Sequence, residues 1–329
     1  MTAENKARAI ARANIALAKY WGKSDDTLNL PAVPSVSITL DPLTTETVVA
    51  FSRDLTEDTF ELDGEPARDK ERARVSALLD GVRADAGIDL KASVKSRNHF
   101  PTAAGLASSA SGFAALAGAA SVAAGLDESL AQLSARARQA SASAARSIYG
   151  GYVSLPAGVP GDAALAAVEV APADHWDLRV VVAVTAEGRK PVGSRSAMGE
   201  SRRSSVYYDA WVGSSIALCD AITAALRSRD FTQLAPHVEQ SFFAMHAVAM
   251  ASSPSVLYWQ PASVAALHTV RRLRDEGVDV CPTMDAGPHV KAICTAASAP
   301  AVEAALEATE GVLRTIVAKP GPGIEVTRL

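Results

Sequence analysis

The amino-acid sequence predicts an α+β fold in two halves, residues 1–186 and 187–329. Segments with strand and helix periodicity alternate along the chain. One apolar run, LRVVVAVTA at 178–186, reads as a buried strand, and the long polar stretch after it sets the boundary. The chain has 329 residues, 48% of them hydrophobic and 21% charged, so it is globular and long enough to bury a large core.

Residues 10–20 read as a strand, followed by the loop WGKSDDTLNLPAVPS. Two strands, 35–40 and 45–52, flank Asp41-Pro42, because proline cannot donate to a ladder. Ser76–Ala86 reads as a helix stopped near Gly87, and 88–96 alternates like an edge strand. The loop from Pro101 to Leu106 opens a helix of very small residues that ends near Gly125. Asp127 is placed to cap the next helix, ESLAQLSARARQA. SASAARSIYGGYVSL reads as a short helix, a Gly150-Gly151 stop and a strand.

In the second half, GRKPVGSRSAMGESRRSS reads as a cation-rich polar loop. Amphipathic helices follow at 206–228 and 231–250, with Ile216, Cys219, Ile222 and Leu226, then Leu234, Val238, Phe242 and Met245, at helical spacing. Pro261 opens a third helix and Gly277 closes it. VDVCPTMD, VKAICTA, a helix near 299–309 and TIVAKPGPGIEVTRL complete the pattern.

Composition excludes several classes. A net charge of −4 argues against nucleic-acid binding but leaves room for a small anionic ligand on a local basic cluster. Cys219, Cys281 and Cys294 are too few for a disulfide framework and lack metal-ligand spacing, and the six histidines form no zinc set. No membrane span or signal peptide is expected, so the expected location is cytoplasmic.

Five segments carry candidate chemistry. PTAAGLASSASG, residues 101–112, brings small residues and the hydroxyls of Ser108 and Ser109 to a helix start, where backbone N–H groups and the helix dipole favour phosphate. The same run suits a turn entering a packed helix. NIALAKYWGK, residues 14–23, sets Lys19, Tyr20 and Lys23 at a strand end, as phosphate ligands or as solvated lysines beside a packed Trp21. SASAARS puts Ser143 and Arg146 on one helix face, suited to bidentate anion binding or to capping carbonyls. RKPVGSR, residues 189–195, is either a cationic lid or a charged loop. Asp285, in TMDAGPH, lies between two strands, as a fixed base or a turn-capping aspartate. His246, on a largely apolar helix, reads as a hydrogen-bonded core or interface residue rather than a catalyst.

Together these segments resemble the diphosphomevalonate decarboxylases of the GHMP kinase superfamily. The resemblance runs in order through NIALAKYWGK, PAVPSVSITLD, HFPTAAGLASSASG, SASAARSIYGGYV, the lysine-to-methionine loop 190–198, Met245-His246-Ala247 with Tyr258-Trp259, and DAGP. It implies a GHMP kinase-like two-domain fold: an N-terminal domain like ribosomal protein S5 domain 2 and a ferredoxin-like C-terminal domain, with the active site between them. It also implies a homodimer. Three features depart from the family pattern: His289 where asparagine is usual after DAGP, Arg97 near the expected adenosine site, and a lid one residue longer.

The activity implied is ATP- and Mg²⁺-dependent conversion of mevalonate 5-diphosphate to isopentenyl diphosphate, CO₂, phosphate and ADP. By the resemblance, Asp285 accepts or orients the proton of the 3-hydroxyl, Arg146 binds the substrate carboxylate, Asn14 orients Arg146 or that carboxylate, and Lys19 joins them as a catalytic residue. Tyr20, Lys23, Ser141, Ser143 and Arg195 grip the diphosphate. Ala104, Gly105, Leu106, Ala107, Ser108 and Ser109 cradle the ATP phosphates, Ser108 and Ser109 serving the metal, and Lys190 and Ser194 close over the nucleotide. Sister activities on mevalonate with one 5-phosphate or none are the alternative; Asp285 with Arg146 favours decarboxylation, and KYWGK favours the diphosphate. A non-catalytic nucleotide-binding scaffold would have lost the base or the phosphate loop, and both are present.

Overall fold

A computed structural model describes residues 5–100, 108–188 and 192–329. Two long strands organise the first half. β1 (Lys6–Ala18) runs antiparallel along β4 (Ser35–Ser52), and the short hairpin of β2 (Lys23–Asp25) and β3 (Leu30–Pro31) lies between them in sequence. The two strands expected around Asp41-Pro42 are therefore one. β1 spans both halves of β4, from Lys6 opposite Ala50 to Ala18 opposite Val36, with a register shift between Arg12 and Asn14. Only the partners on β4's other edge change near the proline.

β5 (Thr59–Leu62), β6 (Glu65–Pro66), α1 (Asp69–Ala86) and β7 (Lys91–Asn98) follow. α1 begins seven residues before the expected Ser76, in the charged run DKERAR, and ends as expected at Gly87, which caps it in the left-handed region at φ 64°. β7 is not an edge strand: it pairs with β4 on one side and β5 on the other. Its alternation records one face turned to the helices.

α2 (Ser108–Ala123), α3 (Leu130–Ala140), a 3₁₀ helix (Ala142–Ile148), β8 (Tyr152–Leu155) and β9 (Val168–Ala171) complete the half. Ser129, not Asp127, caps α3. Its hydroxyl accepts from Gln132 N while the Gln132 side chain accepts from Ser129 N at 2.9 Å, a reciprocal box that Asp127 is too early to make. α2 packs its alanines on Ala7, Ala9 and Ala11 of β1, so small residues on both sides bring helix and sheet close.

β10 (Leu178–Val184) ends just before the expected boundary at 186 but pairs with strands beyond it, β12 (Val290–Thr295) and β13 (Arg314–Pro320); the other later elements are α4 (Ser194–Ser204), α5 (Tyr208–Ser228), α6 (Phe231–Met250), α7 (Pro261–Asp275), β11 (Val280–Thr283), α8 (Ala299–Glu307) and β14 (Glu325–Arg328). The polar stretch expected as a loop forms α4 from Ser194 onward, because Ala197, Met198 and Ser201 give it one buried face. α5 is long and apolar enough to cross a membrane by length and composition alone, yet Cys219, Ile222 and Leu226 pack into the protein core.

The strands join as β11-β12-β10-β13-β4-β7-β5-β6, with β1 and β8 also on β4, β14 on β1 and β9 on β8. β4 is the seam. Residues 35–38 pair with β8, Leu40 and Asp41 with β13, and 45–52 with β7. Behind the 3₁₀ helix, Gly150 meets the backbone of residues 321–323; a Cβ there would lie 2.6 Å from Gly323 N. That close approach seats the segment carrying Arg146 against the C-terminal strands.

Candidate active site

The site grows from the ends of β1 and β4, the 3₁₀ helix and the turn between β11 and β12. Arg146 is 2% exposed. Its Nε donates to Ser37 Oγ at 3.0 Å, Nη1 to Ser35 Oγ at 2.6 Å and Nη2 to Asn14 Oδ1 at 3.2 Å. Ser35 and Ser37 share a face of β4 because strand side chains alternate. Asn14 is itself fixed, its Nδ2 donating to Ser147 Oγ at 2.8 Å and Ser143 O at 3.0 Å. Among the described residues no carboxylate forms a salt bridge with Arg146. Burial pushes its guanidinium down to about 10, partly offset by the more distant charge of Asp285. A buried cation held only by neutral oxygens is costly by several kcal/mol and is suited to an anionic ligand.

Beside it lies an ionic cluster. Lys19, 2% exposed, donates through Nζ to Asp285 Oδ1 at 2.7 Å and to Ala16 O at 2.7 Å. Lys291 Nζ sits 3.3 Å from Asp285 Oδ2. Burial would raise the Asp285 carboxyl, but the two ammonium groups outweigh it and hold it well below the usual carboxylate range. Burial lowers Lys19 to about 8 despite the pull of Asp285. The side chain of Asp285 remains 22% exposed, so it is open to a ligand.

A rim of cations lies close by, with Lys23, Arg74 and Arg195 within electrostatic reach of one another. Lys23 is buried, with Asp26 Oδ1 at 3.7 Å from its Nζ, and burial with the nearby Arg195 lowers its ammonium. Ser141 and Ser143 share a 3.2 Å hydroxyl contact. The Tyr20 hydroxyl is buried with no partner among the described residues, and burial raises it well above the usual phenol range. Arg195, exposed in the first turn of α4, faces Ala140 O at 3.4 Å. Ser194 starts α4.

Sequence reasoning missed Arg74, Tyr208 and Lys291. Arg74 Nη2 donates to the same Ala140 carbonyl at 2.8 Å, and its guanidinium stacks 4.3 Å from the Phe113 ring centroid. Its Nε has no partner, and burial followed by Arg195 lowers it to about 10. It fell outside the expected helix at 76–86. The hydroxyl of Tyr208, over Gly22, is likewise buried without a partner. Lys291 lies in the otherwise uncharged run VKAICTA, the only signal it gives.

Ala104, Gly105, Leu106, Ala107 and Lys190 lie outside the described residues, as does the side chain of Ser108. Ser109 is exposed in the first turn of α2, which carries no acidic residue. That helix start presents N–H groups without a competing carboxylate and fits a phosphate. No group of three or more metal-ligating residues occurs among the described residues. His246 is a core residue, its Nδ1 accepting from Trp259 Nε1 at 3.0 Å. His289 replaces the usual asparagine by accepting from Thr185 N at 3.1 Å through Nδ1.

Both halves of the chain match known proteins. The model for the diphosphomevalonate decarboxylase-like N-terminal domain matches residues 11–166, and that for the mevalonate 5-diphosphate decarboxylase C-terminal domain matches 180–316. The diphosphomevalonate decarboxylase of Eremothecium gossypii is 36% identical over 303 residues, covering 86% of this chain and 76% of that one. The crystal structure of mevalonate diphosphate decarboxylase from Staphylococcus aureus superposes with a TM-score of 0.93 at 37% identity, over 98% of both chains. A structure described as MDDEF in complex with MVAPP, AMPPCP and magnesium gives 0.92 at 38% identity, over 98% of this chain and 99% of that one. With both halves matched by the family's own models, the chain belongs to the diphosphomevalonate decarboxylase family.

Proposed function

We propose that this protein converts mevalonate 5-diphosphate and ATP to isopentenyl diphosphate, CO₂, phosphate and ADP. The observation that carries the reading is the pairing of two unlike buried centres. Arg146, among neutral oxygens, suits the substrate carboxylate. Asp285, fixed between Lys19 and Lys291, suits the tertiary 3-hydroxyl.

A hydroxyl is a poor leaving group, so the γ-phosphoryl of ATP is first transferred to the 3-oxygen. Asp285 directs the hydroxyl's lone pair in line and takes its proton as the new O–P bond forms and the bond to ADP breaks, while Lys19 offsets charge on the transferring group. Catalysis here is mostly positioning and neutralisation. The C3–O bond then breaks and phosphate leaves, developing positive charge at C3. The C1–C2 bond supplies its electron pair to the new C2–C3 double bond, and CO₂ departs. Arg146, steadied by Asn14, keeps the carboxylate aligned with that bond.

Tyr20, Lys23, Ser141, Ser143 and Arg195 take the diphosphate, and we add Arg74. The small-residue loop Ala104–Ala107, Ser108, Ser109, Lys190 and Ser194 take the nucleotide. When bound, Mg²⁺ would be served by the hydroxyls of Ser108 and Ser109 and would neutralise phosphate charge. We further propose a cytoplasmic homodimer, which light scattering of the purified protein checks for assembly.

The test is CO₂ and ADP formation with ATP-Mg²⁺, run in parallel on mevalonate, its 5-phosphate and its 5-diphosphate. Equal CO₂ and ADP with the diphosphate alone is expected. ADP without CO₂, or turnover of the monophosphate instead, would assign the chain a sister activity.

A further inference from the structure

Lys291 is 0% exposed, on a strand position where a lysine is out of place. In β12 it stands opposite Val182 of β10 and Thr283 of β11. Ile293, two residues on and so on the same face, and Val182 both belong to an apolar core cluster. An ammonium in such a face costs several kcal/mol unless it meets an opposite charge. The charge it meets is Asp285 Oδ2 at 3.3 Å, but Asp285 already has Lys19 on Oδ1 at 2.7 Å. One lysine would neutralise that carboxylate. The second therefore needs another explanation than charge balance.

The two lysines approach from different elements, Lys19 just beyond β1 and Lys291 within β12, and each holds a different oxygen. A carboxylate held at one oxygen can still rotate about its terminal torsion, which is broad and roughly two-fold. The Lys291 ammonium at 3.3 Å from the other oxygen, which accepts no hydrogen bond among the described residues, opposes that rotation through charge. Resting on the activity proposed above, we infer that Lys291 is a positioning residue for the reaction: its ion pair restrains Oδ2 of Asp285, so that Asp285 and Lys19 keep one arrangement toward the substrate hydroxyl.

The charged and titratable groups around Asp285 come from four elements. They are Lys19 at the end of β1, Lys291 on β12, Arg146 on the 3₁₀ helix and His246 on α6. His246 is kept neutral, burial and then Lys19 lowering it to about 3. Burial lowers Lys19 to about 8, and the positive charge of Lys291 helps to lower it. Loss of Lys291 thus has a signature that loss of packing lacks: Lys19 keeps its proton to higher pH.

The experiment compares wild type with Lys291→Met across pH, after circular dichroism and nucleotide binding establish that the variant is folded. The expected result is a fall in kcat of about a hundredfold, as for a displaced reacting group. KM for either substrate should be unchanged. The basic limb of kcat/KM should also move upward by about one pH unit, as for removal of a nearby like charge. If Lys291→Met does not fold, Lys291→Gln takes both readouts. An unshifted basic limb overturns the inference even where kcat falls. An inactive wild type would instead overturn the proposed activity, so the two failures are distinguishable.

Discussion

Arg146 and Lys19 are both buried cations, 2% exposed each, and they sit in the same site under opposite conditions. Lys19 faces a carboxylate at 2.7 Å; Arg146 faces two serine hydroxyls and an asparagine carbonyl. The first charge is balanced within the fold and serves to fix Asp285. The second is unbalanced until an anion arrives. On the proposed activity, one fold separates holding the group that activates the 3-hydroxyl from holding the substrate carboxylate by the choice of charged or neutral partners around a cation.

The sharpest way to break this contrast is to remove the charge on each side. Asp285→Asn should lower kcat by about 10³-fold, within the range of a lost general base, with substrate KM retained. Equal loss in KM would mean that Asp285 binds rather than orients. Lys19→Met leaves Asp285 with only Lys291 and should cost about 3 kcal/mol of ligand-free stability in denaturant unfolding, as expected when one partner of a buried pair is deleted.

The rim offers a smaller effect. If Arg74 takes the diphosphate as proposed, Arg74→Ala should raise KM for that substrate about tenfold with kcat retained, from a hydrogen bond to a charged group worth about 1.5 kcal/mol. An unchanged KM would place Arg74 in packing on Phe113 alone.

A further effect concerns acid. His246 and His289 are buried, burial lowers both to about 3, and each accepts a hydrogen bond at Nδ1 that protonation there would break. Below pH 6.5 the unfolded chain takes up protons that the folded chain refuses, so stability should fall as pH drops from 6.5 toward 3. The slope is at most about 1.4 kcal/mol per pH unit for each histidine. Urea midpoints at pH 7 and 5 measure it, and His289→Asn, which restores the residue usual in the family, should flatten it.

Much of the fold was legible because its elements obey simple periods. α5, α6 and α7 fall where Cys219, Phe242 and Pro261 indicate, and Gly87 stops α1 as expected. The misses share a cause, which is that tertiary pairing overrode local signals. β4 continues through Pro42 because β1 holds both its halves. α4 reads as loop because its buried face is only Ala197, Met198 and Ser201 amid charge. In the site, KYWGK, the SASAARS run and DAGP stood out because polar residues cluster there. Arg74 and Lys291 did not, since a single cation on a charged helix or in an apolar strand gives no pattern; only the Cα register across β11 and β12 brings Lys291 to Asp285.

Denaturant unfolding of ligand-free Arg146→Met tests the unbalanced charge most directly. Replacing an uncompensated buried guanidinium by an apolar side chain of similar length should leave the unfolding free energy equal to wild type or higher, by up to a few kcal/mol. A loss as large as that of Lys19→Met would contradict the account, because Arg146 would then be balanced by the fold itself rather than held for the substrate.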